Sequence, residues 1–145
     1  MSSNAVAASA DLRLDAVREL SNAGLNTGVI CAPVLPGITD GPAALDALVR
    51  ATKQAGGKYI YANPLFLKPC SASVFLPFLE KEFPHLIADY RKRFEGRAFV
   101  SKAYSKRLSE LFRSLRKKHG VTKEFGSRGE ITYPQPAEEQ LKLFA

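Results

Sequence analysis

The side chains able to do chemistry in this chain are few and scattered. Cys31 and Cys70 lie 39 positions apart. That spacing matches neither the CxxC of zinc and redox sites nor a disulfide framework, so both read as thiols packed in the interior. His85 follows Pro84 at a helix start, and His119 stands beside Lys117 and Lys118 at a helix end. General acid or base work needs such a group in a cleft, and both positions read as structural or surface ones. No two His, Cys or carboxylate positions recur at ligand spacing with a third partner, so no metal site and no catalytic residue is expected.

Charge offers a second chemistry. Between residues 91 and 128 there are 13 Lys or Arg against 3 Asp or Glu, a local balance of +10, while the remaining residues carry 8 basic and 11 acidic groups, a balance of −3. Tyr90, Phe94, Phe99, Tyr104 and Phe112 are interleaved with these cations. Such a mixture combines phosphate contacts with base stacking. It makes Arg91, Arg93, Lys106, Arg107, Arg113, Lys117 and Lys118 candidate contacts to DNA or RNA. The other reading of the same residues is that the aromatics fill helix cores and the cations form a solvated face.

The elements that position these groups are organised around residues 25–40. Val29 to Ala32 form a short apolar run that suits a strand covered on both faces, as parallel strands usually are. Pro33 is expected to end its sheet hydrogen bonding, and Pro36-Gly37 to make a stiff turn. Asp40 reads as an N-cap, with Pro42 in the first turn of the next helix. The loop after a parallel strand's carboxyl end is where ligands bind in α/β folds. A helix with Leu14, Val17 and Leu20 on one face precedes the strand, expected over residues 27–32. A helix with Leu45, Leu48, Val49 and Thr52 on one face follows it, and a second strand is expected over residues 58–62.

After residue 68 the pattern turns helical. Ser71 or Ser73 is expected to cap a short helix ended by Phe83-Pro84, and the next helix begins at Pro84, with Asp89 and Arg93 spaced to pair. Ser101 caps the longest helix, in which Tyr104, Leu108, Leu111, Phe112 and Leu115 face the core and Gly120 is the stop. The fold class is therefore α/β: two adjacent parallel strands with helices packed on one side, followed by an all-helical part. The organisation expected is a flexible start over 1–10, an α/β unit over 11–68, a helical part over 69–120 and an irregular tail over 121–145. A sheet needs about three or more strands for independent stability, so the chain reads as part of a larger fold. Low stability or self-association is expected in isolation.

With 145 residues and 46% hydrophobic composition the chain is one domain's worth of packed protein. No apolar run approaches the roughly 20 residues that span a bilayer, and the first residues lack a signal peptide's basic start and long apolar stretch. A cytoplasmic location without membrane contact is expected.

Four strings carry a family resemblance: RLDAVRELSNAG, VICAPVLPGITD, YANPLFLKP and FLPFLEKEFPHL. Their order and spacing, with the patterns RLxAxxxLxxAG and APxxPGxxD, resemble the carboxyl-terminal half of radical S-adenosylmethionine (SAM) proteins of the spore photoproduct lyase type, also described as DNA repair photolyases. The likeness runs from about Leu12 to Gly120. It implies a partial TIM-like barrel in which the two strands are the last two of six, and a family pocket for S-adenosylmethionine beside a [4Fe-4S] cluster. In the family three thiolates of a CxxxCxxC motif hold that cluster, and this chain has no such motif. What the resemblance carries onto this sequence is the adenine side of the pocket: Ala32, Pro33, Pro36 and Gly37 at the end of the first strand, and Asn63, Leu65 and Phe66 at the end of the second.

Three functional readings follow. The first is the carboxyl-terminal piece of a radical SAM enzyme of lyase type, inactive alone, binding neither cofactor by itself and completed in trans by an amino-terminal half. The second is a basic nucleic-acid-binding module without catalysis. The third is an interaction remnant for an amino-terminal partner chain.

Overall fold

The computed structural model describes residues 9–123. Most of the expected flexible start (residues 1–8) and most of the expected tail lie outside the described residues, while Ser9 and Ala10 are the cap and first residue of α1. Within them the order is α1 (Ala10–Asn22), β1 (Gly28–Val34), α2 (Pro42–Gln54), β2 (Tyr59–Pro64), α3 (Pro69–Glu82), a 3₁₀ turn (Pro84–Leu86), α4 (Ile87–Arg93) and α5 (Lys102–His119). No helix among the described residues is long and apolar enough to cross a membrane.

β1 and β2 pair in parallel, with Val29 opposite Ile60 and Cys31 opposite Ala62, as the helix, strand, helix, strand order predicts. Two details differ from expectation. Pro33 does not end the pairing: the register slips after Cys31 and resumes at Val34 opposite Pro64, and the Leu65 N–H donates to the Val34 carbonyl at 3.0 Å. Nor is β1 covered on both faces. Val29, Cys31, Ile60 and Ala62 pack on the core beneath α2 and α5, whereas Ile30, on the other face, is 54% exposed.

Gly28 opens β1 because nothing larger fits there. A Cβ at this position would lie 2.3 Å from the Tyr59 carbonyl oxygen and 2.5 Å from its ring, so a side chain would push the two strands apart.

α5 is the keystone of the main core. Tyr104, Leu108, Phe112 and Leu115 are buried on it, against Leu45 and Val49 of α2 and Ile60 of β2, the face expected from their spacing. The change to all-helical sequence at residue 68 therefore does not divide the core. Ser101 caps α5 through its hydroxyl, which accepts the Tyr104 N–H at 3.2 Å, and Gly120 ends it at φ 69°. A second core gathers Leu65, Leu67, Leu79 and Tyr90, with Phe94 touching both. α3 starts at Pro69, one turn earlier than a Ser71 or Ser73 cap would place it, with Lys68 at the cap position. The Ser73 hydroxyl instead donates to the Cys70 carbonyl at 2.8 Å.

The outer edge of β2 is closed by the chain beyond α5, expected to be irregular. The Ile60 N–H donates to the Thr122 carbonyl at 2.9 Å, and the Thr122 N–H donates to the Lys58 carbonyl at 3.1 Å.

Candidate functional site

At the carboxyl ends of the two strands Ala32, Pro33, Asn63, Leu65 and Phe66 line one cleft of about 380 Å³. Parallel pairing brings them together, because strands of equal direction end at the same rim of the sheet. The sequence reading did not include Leu67, Ser71 and Phe75, which close the cleft from the β2–α3 loop and from α3. Phe66 is 51% exposed at the rim and leans on Phe99 with ring centroids 5.9 Å apart. The two residues form an antiparallel bridge, secured by the Leu67 N–H donating to the Ala98 carbonyl at 2.7 Å.

Pro36 and Gly37 do not line this cleft. They belong to the rigid turn behind it. Gly37 holds φ 73°, a conformation open chiefly to glycine, and its N–H donates to Asp40 Oδ1 at 2.8 Å. The Leu35 N–H donates to Thr39 Oγ1, also at 2.8 Å. Pro36 is fully buried, and its carbonyl accepts the Tyr90 hydroxyl at 2.6 Å.

Asp40 is not the N-cap of α2, a position taken by Gly41. Its second oxygen accepts the Tyr104 hydroxyl at 2.9 Å. The Arg93 guanidinium stacks over the Tyr104 ring at 5.2 Å and pairs with Asp89 at 3.0 Å, as the i, i+4 spacing predicts. Burial, with the Asp89 and Asp40 charges adding to it, pushes the Tyr90 hydroxyl up to about 12. Burial first, and the bond to Asp40 second, also raise Tyr104. Both phenols therefore stay protonated donors at neutral pH and fix the turn from α4 and α5.

The thiols sit apart. Cys31 is half-buried on β1, and burial pushes its thiol upward, disfavouring the thiolate that a metal needs. Cys70 is exposed in the first turn of α3 rather than packed. Among the described residues no three His, Cys, Asp or Glu side chains gather as a metal-binding group. The residues present do not fit a [4Fe-4S] cluster, since these two thiols lie on different elements. His85 is exposed, its ring edge-on to Phe83 at 6.4 Å. His119 Nε2 meets Asp46 Oδ1 at 2.8 Å, and Lys118 Nζ meets the same oxygen at 2.9 Å.

Of the basic candidates, Arg93 is held against Tyr104 and Lys118 against Asp46. Arg91 stands 3.9 Å from Glu80, and Lys106 the same distance from Glu110. Arg107, Arg113 and Lys117 are exposed on α5, with no acidic partner among the described residues. The interleaved aromatics do not form a surface platform with them: Tyr90, Tyr104 and Phe112 are buried, Phe94 is half-buried, and Phe99 alone is exposed, beside the cleft.

The class these observations define is a two-stranded parallel α/β unit with a ligand-sized cleft at its strand ends. No family model and no solved structure matches the chain. Among curated proteins, 98 residues, 68% of the chain, are 30% identical to the uncharacterized proteins Rv2578c of Mycobacterium tuberculosis and Mb2609c of Mycobacterium bovis. The match covers 29% of each relative. The chain thus spans less than a third of the length of the curated relatives it matches.

Proposed function

We propose that this chain is the carboxyl-terminal portion of a radical SAM protein of the spore photoproduct lyase type, supplying the adenine side of the cofactor pocket. The observation that supports this reading is the convergence of Ala32, Pro33, Asn63, Leu65 and Phe66 on one cleft at the strand ends. These are five of the seven positions the motifs single out. Pro33, Leu65, Phe66 and Phe75 offer apolar walls for a purine ring, and the Asn63 amide offers both a donor and an acceptor. Pro36 and Gly37 serve by holding the turn behind the cleft. The thiolates that would carry a cluster are not among this chain's residues, and no chemical step is assigned to it alone.

The test is anaerobic reconstitution with iron and sulfide, followed by assay for 5'-deoxyadenosine under a strong reductant. The chain alone is expected to assemble no cluster and form no product. Product is expected once a polypeptide carrying CxxxCxxC is added, and Phe66→Ala is expected to reduce it. Product from the chain alone, or none from the assembled pair, overturns the proposal.

A second reading is favoured by one feature of α5. Lys106, Arg113 and Lys117 fall on the helix face opposite Leu108 and Phe112, a cationic stripe directed away from the core. If these groups meet phosphates, affinity for single- or double-stranded nucleic acid falls with salt, with a log-log slope of about −0.7 to −0.9 per contact. Absence of binding at low salt removes this reading.

A further inference from the structure

The two edges of the sheet are unlike. β2 is covered by Thr122, whereas β1 pairs with β2 alone among the described residues. Along that open edge, between α1 and α2, runs a groove of about 760 Å³ that takes in every residue from Gly28 to Pro33. Its walls are Leu14 and Val17 of α1 and Leu45 and Leu48 of α2. Arg13 is the one charged residue among those that line it, and it has no acidic partner among the described residues.

That charge stands at one end of the groove. The Ser21 hydroxyl, at the carboxyl end of α1, donates to the Gly56 carbonyl at 3.0 Å, beside the start of β2. Ala10 and Arg13, at the other end of the helix, border the groove together with Ile38 and Thr39, beyond the end of β1. The apolar walls therefore run from Arg13 back toward Gly28.

One segment of the chain itself has the matching order. Residues 137–145, AEEQLKLFA, place Glu138 and Glu139 ahead of Leu141, Leu143 and Phe144. Laid along β1 with the two carboxylates at Arg13, this segment runs antiparallel to β1 and carries its apolar side chains down the groove. Strand alternation puts Leu141 and Leu143 on one face and Lys142 and Phe144 on the other. The inner face offers Val17, Leu45 and Leu48 to the two leucines. The outer face offers Phe144 the side chain of Ile30, 54% exposed, and leaves Lys142 in water. Leu14, next to Arg13 at the mouth of the groove, still meets solvent.

The length of chain allows the placement. Thr122 lies one strand beyond β2, against its first residue, Tyr59. From there to the far side of β1 is three strand spacings, about 15 Å, and the length of β1 adds about 23 Å. Residues 123–137 lie between, and at about 3.3 Å each they span up to roughly 50 Å.

We propose that residues 137–145 dock as an antiparallel third strand on the outer edge of β1. Two strands are fewer than a stable sheet requires, and the docked segment supplies the third. It also covers an apolar edge that otherwise invites pairing with other chains. The contact is internal to this chain and independent of the cofactor reading, so its test uses neither iron nor S-adenosylmethionine.

Hydrogen exchange of the full chain, measured at two protein concentrations, reads the outward amides of β1. They are expected to be protected equally at both. Leu141→Asp combined with Leu143→Asp is expected to speed their exchange about tenfold or more, while the amides of α5 keep their rates and so report an intact core. A synthetic peptide of residues 137–145 added to that double variant is expected to restore the protection, and a scrambled peptide to restore none. Arg13→Glu is expected to speed β1 exchange severalfold, and Arg13→Glu together with Glu138→Arg and Glu139→Arg to slow it again. Equal β1 exchange in the full chain and the double variant overturns the proposal. So does protection that fades on dilution, the mark of a second copy, or a charge swap that restores nothing. Where the double variant also speeds α5, the charge swap decides alone.

Discussion

α1 and α5 begin alike and end in different circumstances. Each starts at a serine whose hydroxyl accepts an N–H three residues on, Leu12 for Ser9 at 3.3 Å and Tyr104 for Ser101 at 3.2 Å. Both follow apolar spacings that make one helical face. α5 buries Tyr104, Leu108, Phe112 and Leu115 on that face, whereas α1 buries nothing. Local sequence specifies a helix; only a neighbour across the apolar face turns it into stability.

The largest test of that contrast is truncation on the two helices. Phe112→Ala empties a fully enclosed site and is expected to cost about 3–5 kcal/mol. Leu14→Ala, on the open groove, is expected to cost about 1 kcal/mol or less, because its side chain still meets solvent. Urea unfolding of the two variants measures the difference, and equal losses would break the comparison. Next in size is the tie from α5 to the turn behind the cleft. Tyr104→Phe leaves Asp40 Oδ2 without its donor and is expected to cost about 1–3 kcal/mol, read from the same unfolding midpoints. The Gly37 amide is expected to exchange faster in that variant.

Caps should divide the helices again. Ser101→Ala is expected to lower global stability by about 1 kcal/mol, while Ser9→Ala frays α1 in hydrogen exchange without moving the unfolding midpoint. The smallest effect is the ion cluster linking the end of α5 to α2. Hydrogen bonds from His119 and then Lys118 hold the Asp46 carboxyl below its usual range. A carboxylate lowered on folding stabilises at neutral pH, and that contribution is lost as pH falls through its folded value. Asp46→Asn should therefore flatten the acid limb of a pH-stability profile slightly and leave α1 untouched.

Much of this was legible because it is local. The Ser101 cap, the Gly120 stop, the Asp89–Arg93 pair and the buried face of α5 are each written within one or two helical turns. What escaped the sequence depends on residues far apart. Asp40 has the chemistry of an N-cap, but one oxygen is taken by the Gly37 N–H of its own turn and the other by the Tyr104 hydroxyl, 64 positions away. The Phe66–Phe99 bridge joins two segments read as loop, and Tyr59 of the expected second strand pairs with Thr122 in a segment read as irregular. At the site, five of the seven motif positions meet because parallel strands end together. Pro36 and Gly37 do not, because a stiff turn folds back behind the strand end instead of continuing along the rim.

The Thr122 closure also orders events in time. Ile60 receives its outer partner only from a residue 62 positions later, and such distant contacts must meet the loop-closure entropy before they return any stability. During synthesis the outer edge of β2 lacks its Thr122 partner until α5 and the residues after it have emerged. β1 and β2 are most open to misassociation in that interval. A chain stopped just short of Val121 would carry the interval into its finished state, keeping every helix and strand of the described fold while losing the cover that Thr122 gives the outer edge of β2.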